Sequence, residues 1–152
     1  MLKNLRFLFL IAISILALSC KKGDQSTSGL KEQLVDKWFY TSVYLKDYDR
    51  NGKLTKSTQL PALVNSDNIT FKADDSFTTV LRQEVETNKF ESVTTNGTYK
   101  VSSLSRFTLT VQGATVNCTL KSLTSAELIF TMEVAPKVTG QPYSLIEHSL
   151  HR

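Results

Sequence analysis

The sequence predicts an all-β domain, an up-and-down antiparallel meander β-barrel of about eight strands with a short N-terminal helix. Three observations carry that expectation. From Ile69 onward the apolar residues recur with period two, which is the pattern of strands with one buried face. Compact turn signals separate these runs at hairpin spacing. The links are too short for the helical crossovers that parallel pairing needs, and the chain's 18 Thr favour strands throughout.

The elements follow in order. Lys3 and Arg6 form a positive n-region, and Phe7 to Leu18 is apolar apart from Ser14. That run is too short to span about 30 Å of hydrocarbon, which takes roughly 20 residues, so residues 1–19 read as an export signal peptide. Leu16-Ala17-Leu18-Ser19-Cys20 resembles a bacterial lipoprotein lipobox, with Ala17 and Ser19 in place of the commoner Leu and Gly or Ala. The resemblance implies cleavage before Cys20 and acylation of its thiol and new amino terminus. Two or more acyl chains anchor a protein stably, at about 0.8 kcal/mol per buried methylene. Residues 20–29, the lipidated cysteine with Lys21 to Gly29, are polar and rich in Gly, Ser and Thr, and read as a flexible tether. Residues 30–152 are then one domain, long enough for a core and too short to divide.

Within the domain, Leu30, Leu34 and Val35 have helical spacing, which predicts a short amphipathic helix over Gly29 to Asp36. Lys37 to Lys46 reads as a first strand whose apolar residues populate both faces. Alternation then marks strands through Ile69 and Phe71, through Phe77, Thr79 and Leu81, and through Tyr99 and Val101. Further strands follow through Phe107, Leu109 and Val111, through Val116, Cys118 and Leu120, and through Leu128, Phe130 and Met132, with a last one over Tyr143 to Leu150. Turns are expected at Ala73–Ser76, Asn96-Gly97, Ser102–Ser105, Gln112-Gly113 and Leu123–Ser125, and longer connections over Asp47 to Ser66 and Ala135 to Pro142. Eight or nine strands in meander order remove their two exposed edges by closing on themselves.

Val35-Asp36-Lys37-Trp38, Asn68 to Phe77, Gly97-Thr98-Tyr99-Lys100-Val101 and Leu120 to Leu128, in that order and spacing, resemble the lipocalin-like domain of Bacteroidetes lipoproteins. Lipocalins usually place Gly where Asp36 stands. The resemblance implies a barrel with a short helix across one end, located at the outer membrane, and no settled ligand. The leaflet stays open.

Composition narrows the function classes. Most of the formal charge of +4 belongs to the signal and tether: from Leu30 onward 14 basic residues face 13 acidic ones. A nearly neutral domain lacks the basic face of a nucleic-acid binder. Asp47, Asp49 and Asn51 before Gly52 fit the first half of an EF-hand-type loop, but Thr58 stands where the bidentate Glu belongs, and Arg50 and Lys53 add positive charge. A hairpin turn is the better reading, and no metal or cofactor is expected. His148 and His151 fall on opposite faces of a strand, so they do not chelate together. Cys118 has no disulfide partner in the mature domain and alternates with apolar neighbours as a packing residue. No nucleophile elbow, phosphate loop or His-Glu-x-x-His motif is present, so an enzyme is not expected.

The remaining candidate is the barrel interior. An eight-stranded barrel is wide enough to be filled by side chains or to hold one small ligand, and the bulk of the inward residues directs any site to the open end. The candidate ligand-contacting residues are Trp38, Phe71, Phe77, Tyr99, Phe107, Leu109, Cys118, Phe130, Met132 and His148. A monomer carrying a small hydrophobic ligand, anchored through Cys20, is one expectation. A solid barrel that contacts another envelope protein through loops or its outer face is the alternative.

Overall fold

The structure, a computed structural model, describes residues 27–61, 66–87, 89–135 and 137–152. Cys20 and the signal lie outside them. The described elements are α1 (Thr27–Leu34), β1 (Asp36–Tyr48), β2 (Leu54–Gln59), β3 (Asn68–Phe71), β4 (Ser76–Glu86), β5 (Lys89–Ser103), β6 (Arg106–Val111), β7 (Ala114–Leu123), β8 (Glu127–Glu133) and β9 (Tyr143–His151). All pairings are antiparallel. The sheet runs β2-β1-β3-β4-β5-β6-β7-β8-β9, and β1 also pairs with β9. Eight strands, β1 and β3 to β9, therefore form a closed barrel, which is the fold class the alternation predicts.

One edge of β1 is shared. Asp36 to Phe39 pair with β3, and Tyr44 to Tyr48 pair with β2, which lies beside the barrel as a ninth strand. Sequence reading placed β2 inside a long connection. Apart from Leu54 it is polar, and it is exposed along its whole length, so no face of it alternates. The β1–β9 register shifts between Tyr40 and Ser42, and this bulge reverses the facing of β1. The bulge explains the apolar residues on both parities: Trp38 and Tyr40 point inward before it, Val43 after it.

Asn96-Gly97 is not a turn. Both residues lie within β5, paired with Thr78 and Phe77, and β4 and β5 run on to Glu86 and Lys89 before the chain reverses. Gly97 is there for space. A Cβ on it would meet the Thr110 carbonyl oxygen at 2.4 Å and the Phe77 ring at 2.6 Å. Gln112-Gly113 does turn, with both residues at positive φ (49° and 84°), as a two-residue hairpin with right-handed twist requires.

The helix closes one end of the barrel. Leu30 and Leu34 are its buried face. The Trp38 indole N–H donates to the Leu34 carbonyl at 2.9 Å, satisfying an acceptor that the helix end leaves free. Arg152 lies over the Trp38 ring at 4.3 Å, donates to the Gln33 carbonyl at 2.9 Å and pairs with Asp36 at 3.1 Å. Trp38 is fully buried by these contacts, with Asp36 in the place where Gly was expected.

Candidate functional site

The barrel interior has two parts. Next to α1 it is filled. Trp38, Phe71, Phe77, Tyr99, Phe107, Cys118 and Phe130 are all at most 3% exposed. Phe71 meets Tyr99 and Phe107 edge-on, with ring centroids 5.0 and 6.1 Å apart, and Phe107 meets Phe130 at 5.4 Å. Such pairs each add about 1 kcal/mol beyond the area they bury. These seven candidates are brought together, and the surfaces of their rings are covered by one another. The Tyr99 hydroxyl donates to the Lys72 carbonyl at 2.8 Å, so its polar end is satisfied within the fold.

Toward the far end the inward residues become partly accessible. Met132 pairs with Cys118 on one side and Ile146 on the other, so all three share the inner face. Met132, Ile146, Leu81 and Val111 pack on the core without being covered by it. Leu109 and Val43, at 7% and 8% exposure, lie at the boundary between the two parts. The rim is polar: the Ser144 hydroxyl donates to Asp47 at 2.6 Å.

His148 lies in this boundary region. It pairs with Val43 across to β1 and with Phe130 across to β8, so its ring points inward. The ring stacks on Phe130 with centroids 4.8 Å apart and planes 13° from parallel, and Tyr40 tilts against it at 5.8 Å. Both ring nitrogens are buried and have no hydrogen-bond partner. Burial lowers the pKa of His148 from 6.5 to about 4, so the ring is neutral at pH 7. His151 faces outward, with its Nδ1 3.0 Å from the Thr41 hydroxyl.

The thiol and the phenol here, Cys118 and Tyr40, are also uncharged. Burial, and then the nearby Glu133 carboxylate, push the Cys118 thiol up to about 12. Burial raises the Tyr40 phenol above its ordinary range, with smaller contributions from Asp67 and Cys118. A protonated thiol whose hydrogen-bond contacts are with backbone, the Val116 carbonyl at 3.9 Å and Leu109, lacks a base to activate it, and His148 makes no hydrogen bond that would do so. What the arrangement offers is an uncharged, largely apolar lining.

Tyr40, Val43 and Asp67 belong to the site region and were missed. The bulge hides the first two from any period count. Asp67 carries no sequence signal at all. Its carboxylate accepts the Arg82 backbone N–H at 2.9 Å and its carbonyl accepts the Tyr40 N–H at 3.0 Å, tying β4 to β1 beside the short β3.

The Asp47–Lys53 loop is a hairpin turn. One Asp49 carboxylate oxygen accepts the backbone N–H groups of Asn51 and Lys53 at 2.8 and 2.9 Å, and Gly52 takes φ 79°. Asp47 is held by the Ser144 hydroxyl, so one oxygen of each of these two carboxylates is engaged in internal hydrogen bonds. No cluster of three or more metal-ligating side chains occurs among the described residues.

No family model matches the chain, and no curated protein matches it. Among solved structures it is similar to one described as bovine odorant binding protein, a deswapped triple mutant. The two share 12% identity and a TM-score of 0.42 over 79% of this chain and 74% of that one. At that level of likeness the fold class rests on the strand pairings themselves.

Proposed function

We propose that the protein is a non-enzymatic binding protein for a small, mostly apolar molecule, held in the barrel at the end away from α1. The observation that carries this reading is the set of inward apolar side chains, Leu81, Val111, Met132 and Ile146, left partly accessible beside a core that is otherwise closed. Burying such surface contributes about 25 cal/mol per Å², and the neutral groups behind it impose no charge requirement. Of the candidate residues, Leu109, Met132 and His148 stand where a ligand would touch. The ring cluster behind them sets the depth of the site.

The lipobox resemblance adds location. We read the chain as a monomeric, Bacteroidetes-type lipoprotein of the outer membrane, anchored through acylated Cys20, with the tether ending where α1 begins at Thr27 rather than at Gly29 as the sequence suggests. A Cys20→Ser variant is expected to leave the membrane fraction; continued partition with membranes sinks the anchor.

The binding reading is tested by native mass spectrometry of the full chain extracted from its own host. A co-purifying small molecule is the expected result. A bare chain, or one carrying only a protein partner, overturns it. The second outcome would favour an interaction module. The observation behind that alternative is the outer end of the β4–β5 hairpin, where Val85, Phe90 and Val93 are 47%, 49% and 37% exposed.

A further inference from the structure

A buried polar atom without a partner is costly, and native structures tolerate few of them. His148 has two. Neither Nδ1 nor Nε2 has a donor or acceptor within reach, although the ring is held on both sides by Phe130 and Tyr40. The residue as a whole keeps some accessible surface on the inner face while its nitrogens have none. A half-turn of the ring about Cβ–Cγ keeps the stack on Phe130 and exchanges each nitrogen with a ring carbon. That motion changes which ring atoms face the interior without any movement of the backbone.

We propose that His148 is the polar anchor of the interior and that the molecule held there is an uncharged, mostly apolar alcohol whose hydroxyl hydrogen-bonds an imidazole nitrogen. The inference rests on the interior-binding reading above and names the ligand class for that same site. Charge complementarity decides against the alternatives. The inward groups around the ring are Val43 and Tyr40 on β1, Phe130 and Met132 on β8, and Cys118 on β7; none is ionised at pH 7. A carboxylate in this position would find no cation, and it would share the region with the buried Asp67 carboxylate that influences Tyr40. An ammonium group at the ring would find no counter-charge either: Asp67 acts on Tyr40, while burial alone accounts for the shift of His148. A hydroxyl is both donor and acceptor, so it satisfies whichever nitrogen a neutral imidazole presents.

The test uses the full chain with three probes of equal length: 1-nonanol, nonanoate and nonylamine. Calorimetric titration at pH 7 is expected to show nonanol binding about tenfold or more tightly than either charged probe, as one hydrogen bond in a dry site gives. Nonanol is expected to shift the His148 imidazole ¹⁵N resonances, a readout that needs no variant. His148→Leu, which removes the unsatisfied nitrogens and keeps the bulk apolar, is expected to bind nonanol about tenfold more weakly. Binding of all three probes without head-group preference, tighter binding of nonanoate or nonylamine, or unmoved His148 resonances would overturn the anchor and leave interior binding standing. Failure of every probe to bind would overturn both.

Discussion

Gly97 has no side chain because the Phe77 ring and the Thr110 carbonyl occupy the place where one would go. Carbonyl oxygens of a paired strand move only with the strand. Gly97→Ala is therefore expected to destabilise the barrel by about 2 to 3 kcal/mol, at the upper end of overpacking costs, read as a lowered urea midpoint with an unchanged m-value. Adding Phe77→Leu should relieve the ring clash but not the 2.4 Å approach to the carbonyl, so the double variant recovers only part of the loss. A Gly97→Ala midpoint equal to wild type would show that β5 and β6 are not packed as described. Residue chemistry was also where sequence reading misled. Asn-Gly is the strongest short hairpin signal, yet here Gly serves a close approach in mid-strand, and only the position of Phe77 across the ladder distinguishes the two uses. Trp38 was legible as a first-strand landmark. That Arg152 would close over it was not, because that contact joins the first strand to the far end of the chain.

At the scale of elements, legibility followed burial. Strands β6, β7 and β8 bury one face, so Phe107, Leu109, Cys118, Leu128 and Phe130 announce them. β2 buries neither face, and the outer halves of β4 and β5 are exposed, so the same rule is silent there. Weak burial has a dynamic consequence. β2 is joined to the barrel through its ladder with Tyr44–Tyr48 and through the Leu60 N–H bond to the Val43 carbonyl. Amides of Leu54–Gln59 are expected to exchange with solvent by local opening, far faster than those of β6 and β7, whose protection should approach the global stability. Equal protection across β2 and β6 in a native-state exchange experiment would contradict a ninth strand that sits outside the closed barrel. Fast exchange of β2 would also make the end away from α1 the compliant end, where a ligand enters at least cost to the ring cluster.

For the whole molecule, the histidine that marks the site also sets how the fold answers to acid. His148 titrates at about 4 in the barrel and at its usual 6.5 when unfolded, because the interior supplies neither water nor counter-charge. Between those values the unfolded chain binds a proton that the folded chain refuses, so stability rises with pH across that window. The contribution is fully present above pH 6.5 and is lost as pH falls through about 4. At pH 4.5 the loss relative to pH 7 is expected to be roughly 2 to 3 kcal/mol, a large share of the stability of a domain this size. Carboxylates held low, such as Asp74 beside Ser76, lose their own contribution only as pH falls further, below the usual carboxylate range. The two effects separate by variant: His148→Phe should flatten the urea midpoint between pH 7 and 4.5 while leaving the steeper fall below it. A wild-type midpoint that does not change over that window would mean the ring is solvated or paired, and the uncharged interior that the binding reading requires would go with it.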